Sequence, residues 1–212
     1  MARYTKSRCK LCRRESVRED PKMFLKSERC FSDKCAVERR AFPPGQHGSK
    51  KGKLSGYGIR VREKQKAKRI YGLLEKQFRG YFDEAKEKEG ITGDHLIVFL
   101  ERRLDNVIFR LGFARSRSHA RQLVAHGHFL VNGRRTDIPS YLVKVGDEIQ
   151  LKERSRKNQI IVQNLEAKKG TIPGWLELDD KSFKGIVKTL PERKDITDLN
   201  INEQLIVELY SR

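Results

Sequence analysis

The residues whose types and spacing could do chemistry are four cysteines, all of which lie near the start of the chain. Two residues separate Cys9 from Cys12, four separate Cys30 from Cys35, and 17 lie between the two pairs. Two close pairs joined by such a loop suit tetrahedral zinc, because each short loop places two thiolates on one ion. Four thiolates would leave no coordination position for a catalytic water. The spacing therefore predicts one structural Zn²⁺ ion.

The alternatives for these cysteines are two disulfides, an iron–sulfur cluster or four unrelated thiols. Disulfides are disfavoured because the chain does not open on an apolar stretch typical of an export signal. An iron–sulfur cluster is disfavoured because nothing nearby suggests redox chemistry. A zinc ion would give a compact shape to a segment with few apolar residues, and would present Arg8, Lys10, Arg13 and Arg14 to phosphate groups.

The second chemical signal is an excess of positive charge. The 212 residues include 47 Lys and Arg against 28 Asp and Glu, a net charge of +19. Two basic blocks, residues 1–70 and 102–157, carry net charges of +15 and +8, whereas the rest of the chain is slightly acidic. This uneven distribution favours contact with a polyanion. A membrane surface is the weaker alternative, because neither block contains a long helix with Trp or Phe along one face.

Apolar periodicity predicts the elements that position these groups. An irregular basic connector follows the cysteines at residues 43–53. Helical stripes then extend over residues 70–82 and 96–111, with Gly90 ending the first. The remaining elements are a short helix, four strands and a final amphipathic stretch, at residues 117–126, 129–131, 141–145, 148–151, 159–162 and 205–210.

The second basic block combines a short helix with a hairpin. Ser116 is a good N-cap, and the apolar positions of the following helix predict that Arg117 and Arg121 project from its outer side. Arg115 lies at the helix N-terminus, where backbone amides favour phosphate. No acidic residue occurs between Arg110 and Arg135, so we expect these arginines to lack intramolecular partners and to contact RNA or DNA.

Residues 102–151 resemble the small RNA-binding module named after ribosomal protein S4, most clearly at 103–117 and 126–135. Stretches 43–48, 57–66, 70–72, 138–141 and 202–212 resemble the bacterial or organellar S4 family itself. The resemblance covers essentially the whole chain. The four cysteines match the zinc-binding branch of that family, which supports Cys9, Cys12, Cys30 and Cys35 as metal ligands.

The resemblance implies an α+β protein with four parts. These are a zinc-tied N-terminal segment at 1–45, the first part of a helical domain at 46–101, an inserted helix-hairpin-sheet RNA-binding module at 102–165, and a C-terminal region at 166–212 that returns to the helical domain. It also implies direct binding to small-subunit ribosomal RNA at a multi-helix junction, nucleation of subunit assembly and a contribution to translational accuracy.

The implied partners are neighbouring small-subunit proteins, especially the fifth, and messenger RNA where it enters the ribosome, with no membrane. The expected location is the ribosome in the cytoplasm, or in an organellar stroma or matrix. In some bacteria the family also represses its own operon.

Charge, polarity and the resemblance together select the candidate RNA contacts in both basic blocks. The first block contributes Arg13, Arg14, His47, Lys50, Lys51, Lys53, Tyr57, Arg60, Arg62, Lys64 and Lys66. The second contributes Arg115, Ser116, Arg117, Ser118, Arg121, Gln122, His126, His128, Asn132, Arg134 and Arg135.

The main rival prediction is an RNA-modifying enzyme. Residues 103–105 resemble the tripeptide that contains the catalytic aspartate of pseudouridine synthases, which makes Asp105 a candidate. Only about 60 residues follow residue 151, however, too few for a separate catalytic domain. His119, His126 and His128 are accompanied by no nucleophile or carboxylate pair, and no nucleotide-binding loop occurs. We therefore predict a non-enzymatic protein, with a pseudouridine synthase-like enzyme or a free RNA-binding regulator as the alternatives.

Overall fold

The computed structural model describes residues 4–15, 22–50, 53–167, 172–196 and 198–211. These residues form helices and one antiparallel sheet, in agreement with the predicted α+β class. They belong to two compact units, Met1–Leu96 with Asp198–Arg212 and Ile97–Thr197. Within the described ranges, no helix combines the length and the apolar character needed to cross a membrane.

Helices occur in both units, and the longest helix lies in the first unit. In chain order they are α1 (Arg8–Glu15), α2 (Ala36–Arg39), α3 (Gly56–Ile70), α4 (Glu75–Lys86), α5 (Thr92–Glu101), α6 (Leu104–Arg110), α7 (Arg117–Ala125), α8 (Glu153–Arg156), α9 (Gln159–Ala167) and α10 (Glu203–Tyr210). Short 3₁₀ turns cover Ser27–Cys30 and Arg193–Asp195.

The helical unit is organised around α3. Ser55 begins this helix by accepting a hydrogen bond from the Gly58 amide at 3.1 Å. The C-terminal helix α10 packs against α3, where the Arg60 guanidinium donates to Glu208 at 2.7 Å. The ring of Tyr210 lies 4.6 Å from that of Phe82 on α4. The last helix of the chain therefore completes the core that the earlier helices begin.

The second unit contains a five-stranded antiparallel sheet. Its strands are β1 (Phe129–Val131), β2 (Arg134–Arg135), β3 (Glu148–Leu151), β4 (Leu176–Asp179) and β5 (Lys184–Val187), in the order β2-β1-β3-β5-β4. Helices α6 and α7 contribute their apolar faces to the same core as these strands. Gly185 permits this packing, because a Cβ there would lie 2.5 Å from a methyl carbon of Leu111.

Several predicted elements differ from the structure. Residues 159–162, expected as a strand, begin α9, because Ile161 and Leu165 one turn apart are both buried in the core. A short apolar run is compatible with either element. Residues 141–145 form only an isolated bridge, Arg103↔Leu142, since their backbone instead bonds to the start of α6. The stripe at 96–111 is split into α5 and α6.

The boundaries of the compact units also differ from the predicted ones. The region 166–212 was expected to return to the helical domain, but β4 and β5 within it pair with the sheet of the second unit. Only the segment from Asp198 onward belongs with the helices. The sequence signal for β4 and β5 is weak because each strand has only four residues and a glycine interrupts β5.

Candidate nucleic-acid interface and cysteine cluster

The four cysteines line one cavity in the N-terminal segment. Cys9 and Cys12 lie on α1, Cys30 ends the first 3₁₀ turn, and Cys35 is the residue immediately before α2. All four are free thiols, so the disulfide alternative has no counterpart here. Burial raises the pKa of the Cys30 thiol, while the Lys26 amide, which donates to its Sγ at 3.3 Å, opposes that rise.

The donor chemistry of this cavity fits zinc. No carboxylate or imidazole lines it among the described residues, so the thiols are its only side chains of a type that binds transition metals strongly. The described ranges contain no group of three or more His, Cys, Asp or Glu side chains that already stands in a metal-binding arrangement. The four cysteines thus line one cavity, but their sulfurs do not stand together in the arrangement of a closed four-thiolate site.

We call the residues around the four cysteines, 4–15 and 22–45, the cysteine segment. One buried carboxylate attaches this segment to α3. Glu15, the last residue of α1, is buried and pairs with Arg62, at 3.1 Å, and with Arg69 on α3. Burial raises the pKa of Glu15, and the two arginines partly offset this rise. Arg62, which we proposed as an RNA contact, is thus engaged in holding α1 against α3.

The other basic residues predicted as contacts on α3 also have acidic partners. Arg60 pairs with Glu208, Lys64 with Glu75, and the buried Lys66 with Glu63 at 3.6 Å. We predicted these residues as RNA contacts, and the structure places a carboxylate beside each of them. The partners of Arg60 and Arg62 lie more than 40 residues away in sequence, so local charge counting could not find them.

The remaining predicted contacts of the first block differ in exposure. The exposed residues are Arg14, His47, Lys50, Lys53 and Tyr57. Arg13 is half-buried, and its Nε donates to the backbone oxygens of Arg40 and Phe42 at 3.2 and 3.0 Å. Lys51 lies outside the described residues. The connector therefore offers exposed candidates, whereas Arg13 helps to hold its own segment together.

The prediction that Arg121 projects from α7 into solvent is wrong. Its side chain is buried, with the residue only 7% exposed, and it lies 3.5 Å from Asp105 on α6. Arg103 also binds Asp105, through bonds of 3.1 and 2.9 Å to the two carboxylate oxygens. The local absence of acidic residues was misleading, because α6 brings a carboxylate beneath α7.

Arg117 has a similar but less buried environment. Its Nε donates to Asn106 at 2.7 Å, and its guanidinium lies 4.6 Å from the centre of the Phe109 ring. Asn106 in turn donates to Glu101, a fully buried carboxylate that also receives two bonds from Arg110. Arg117 is therefore attached to a polar network under α7, rather than standing free as we predicted.

The environment of Asp105 does not suit catalysis. The residue is 3% exposed, and both of its carboxylate oxygens are occupied by arginines. Burial raises the pKa of Asp105, and the charges of Arg103 and Arg121 oppose that rise. A substrate would have to displace an ion pair inside the core to reach this group. Asp105 therefore orders α6 and α7.

The side chains of two predicted RNA contacts, Ser116 and Asn132, form hydrogen bonds within the fold. Ser116 is buried and caps α7 by accepting a hydrogen bond from the His119 amide at 3.3 Å. Asn132 occupies the left-handed region with φ at 50°, and its side chain bonds to Asp147 and to the Glu148 amide at 2.8 and 2.9 Å. Ser118 is half-buried beside Ser116, with their hydroxyls 3.1 Å apart.

A basic surface remains over α7 and the start of the sheet, and we call it the α7–hairpin face. It is formed by the exposed Arg115, His126 and Arg135 and by the half-buried His119 and His128. The rings of His126 and His128 lie 6.2 Å apart. The Arg135 guanidinium covers Gly127, where a Cβ would lie 2.8 Å from its Nε.

Burial and neighbouring charges lower the pKa values of two histidines of this face. Burial lowers the pKa of His119, and the charges of Arg115 and His128 lower it further. Burial likewise lowers the pKa of His128, with smaller effects from His126 and Lys152. An incoming phosphate would relieve this repulsion between like charges. The positive charge of the face is carried by Arg115 and Arg135, because the lowered pKa values favour the neutral forms of His119 and His128.

A cation is available to a ligand when it is exposed and forms no ion pair with a carboxylate. Arg115 and Arg135 of this face, and Arg134 next to Arg135 in β2, are exposed and form no ion pair within the described residues; Gln122 on α7 is also exposed. Lys152, whose charge affects His128, was not among our candidates. It belongs to the same basic block, so a charge count continued beyond the hairpin could have found it.

Two family models match the chain. The ribosomal protein S4/S9 N-terminal domain matches residues 3–101, and the S4 domain matches residues 102–149. The chain is 59% identical to the small ribosomal subunit protein uS4 of Geotalea daltonii, 59% to that of Geotalea uraniireducens and 57% to that of Geobacter sulfurreducens. Each of these similarities covers 100% of both proteins.

Proposed function

The chain belongs to the ribosomal protein S4 family and is a non-enzymatic rRNA-binding component of the small ribosomal subunit. We propose that it binds rRNA chiefly through the α7–hairpin face. The observation that carries this assignment of the surface is a set of exposed arginines at or next to the face, Arg115, Arg134 and Arg135, which form no ion pair within the described residues. Cations already paired with carboxylates gain less from a phosphate, because the new contact must replace an existing one.

The geometry of the face fits a folded RNA. Arg115 stands before the first turn of α7, whose free amides favour a phosphate group. The two histidines and Arg135 extend the positive surface around the helix–strand turn at Gly127. Guanidinium groups bind phosphate oxygens in a forked geometry, so rigidly placed arginines can select a particular arrangement of the RNA backbone.

The test is the salt dependence of binding to the small-subunit rRNA of Geobacter sulfurreducens. We expect affinity to fall steeply with salt, because each phosphate contact releases condensed counterions. The double substitution Arg115→Ala and Arg135→Ala should weaken binding and reduce the slope by nearly one unit per lost contact. A double substitution of the exposed α4 lysines Lys76 and Lys86 is the matched control. An equal effect of both pairs would contradict the proposed surface.

We also propose that Cys9, Cys12, Cys30 and Cys35 hold one structural zinc ion. Support comes from their shared cavity and from the absence of other ligand types lining it. The ion would supply folding stability to a short segment by joining α1 to the turn before α2. Metal analysis of protein purified without added zinc should give one equivalent per chain, and a value near zero would contradict the proposal.

Finer roles follow from membership of the family and remain proposals. They comprise binding at a multi-helix junction, nucleation of subunit assembly, translational accuracy, contact with the fifth small-subunit protein, proximity to incoming messenger RNA and repression of its own operon. We place the protein on the ribosome in the bacterial cytoplasm, as the bacterial relatives suggest. Reconstitution of subunits with and without the protein would test the assembly role directly.

A further inference from the structure

Two phenylalanine rings lie exposed beside the cysteine cavity. Phe24 and Phe31 are stacked, with ring centroids 4.9 Å apart and planes inclined by 22°. Phe31 is 75% exposed and Phe24 is 45% exposed. An aromatic pair that served only to fill a core would be withdrawn from water, because burying such rings is strongly favourable.

The backbone at Phe24 is strained in the conformation that creates this pair. Its φ is +46°, in the left-handed region that a bulky side chain rarely adopts. The neighbouring Met23 is buried while Phe24 is outside, so the strained turn separates the two side chains. Strain of this kind persists where the surrounding structure imposes it, and it is concentrated at functional sites.

The surroundings of the pair are basic. Lys26, Arg29, Lys34 and Arg39 are exposed and form no ion pair within the described residues. A groove beside Phe31 is lined by two basic residues, Lys22 and Arg39, and by two acidic ones, Asp33 and Glu38, of which Glu38 pairs with Lys22. Residues 22–40 contain six Lys and Arg against three Asp and Glu. An aromatic platform with unpaired cations around it matches a nucleic-acid strand, which carries flat bases and phosphates.

We propose that Phe24 and Phe31 form a stacking platform for an unpaired base of the bound RNA. The base would extend the existing stack on the exposed side of Phe31, while the nearby cations meet the adjoining phosphates. Stacking of this kind tolerates any base, because every base has a π-face. This inference rests on the proposed function and adds a second RNA contact, of different chemistry, in the cysteine segment.

The experiment compares three substitutions at Phe31 in the full-length protein, using the same rRNA. Phe31→Ala should weaken binding about 5- to 100-fold, the range seen when a stacking ring is removed. Phe31→Trp should bind like the wild type, and Phe31→Leu should behave like the alanine variant, because leucine has bulk without a flat face. The salt slope should not change, since the ring neutralises no phosphate. Circular dichroism checks that each variant is folded.

Ile91→Ala is the matched control, since Ile91 is 70% exposed and lies outside the cysteine segment. Ultraviolet crosslinking should place a nucleotide adduct on the tryptic peptide 30–34, which contains Phe31. Unchanged affinity of Phe31→Ala, equal affinity of the leucine and tryptophan variants, or no adduct on that peptide would overturn the platform while leaving rRNA binding intact. Failure of the wild type to bind the rRNA would overturn the proposed function and the platform together.

Discussion

Substitution of Arg121 by alanine separates a structural arginine from an RNA contact. Arg121 lies against Asp105 inside the core, so its removal leaves a buried carboxylate with one fewer partner. Loss of one member of a buried ion pair costs about 3–5 kcal/mol. Because Arg103 still binds both oxygens of Asp105, we expect a lower cost of about 2–3 kcal/mol in the free energy of unfolding.

The assay is urea unfolding followed by tryptophan fluorescence. Trp175 is the only tryptophan in the chain and is buried in the core of the second unit, so its emission reports the unit that contains Arg121. Arg115→Ala is the control: its side chain is exposed, so stability should change by no more than about 0.5 kcal/mol. RNA affinity should fall for Arg115→Ala and remain near normal for folded Arg121→Ala. The opposite pattern would refute our placement of the RNA surface.

The same variant has a defined pH dependence. Burial raises the pKa of Asp105, and loss of Arg121 removes a charge that opposes this rise. Asp105 in the folded protein then holds its proton at a pH where Asp105 in the unfolded chain has lost it. The free energy of unfolding therefore falls as pH rises from the pKa of the unfolded chain to the higher pKa of the folded protein. The deficit of Arg121→Ala should therefore be largest near neutral pH and shrink on acidification. A deficit independent of pH would contradict this electrostatic origin.

Three further predictions concern other parts of the molecule. Replacing Cys9 and Cys12 with serine should abolish zinc binding, measured by metal analysis, but leave the Trp175 unfolding transition unchanged; a shifted transition would mean that the cysteine segment supports the second unit. Gly185→Ala should destabilise that transition by about 1–3 kcal/mol, because the added methyl meets Leu111, and unaltered stability would show that the core relaxes freely. Burial tends to raise the pKa of Glu75, but two α3 lysines and Tyr210 outweigh it and hold this pKa at about 2. The wild type therefore loses the stability contributed by this carboxylate as pH falls from about 4.5 to 2, and Glu75→Gln should lack that contribution at every pH. Identical acid unfolding of the glutamine variant and the wild type would contradict that prediction.

Local sequence signals predicted several features correctly. The Ser116 cap, the short helix after it and the Asn132-Gly133 turn are all present, because each depends on hydrogen bonds between residues close in the chain. The α+β class and the family could likewise be recognised from motifs distributed over the chain. The zinc ion indicated by the cysteine spacing stays a prediction, although the four thiols line one cavity.

Elements that depend on distant partners were less predictable. The apolar run at 159–162 forms a helix because Ile161 and Leu165 are buried in the core. Strand β5 joins the module by pairing with β3, and β4 joins it by pairing with β5. Short runs do not determine whether an element is a helix or a strand, since the apolar positions satisfy both periods. Tertiary packing makes the choice when one alternative buries more apolar surface.

The sequence by itself determined that this protein is strongly basic, where the basic blocks lie and which family it resembles. Only the tertiary structure decided which cations are available to RNA. Arg60, Arg62 and Arg121 are indistinguishable by charge from Arg115, yet each of the three finds a carboxylate brought close by the fold. Pairing depends on distances of a few ångströms between groups far apart in the chain, and charge counting along a sequence contains no such distances.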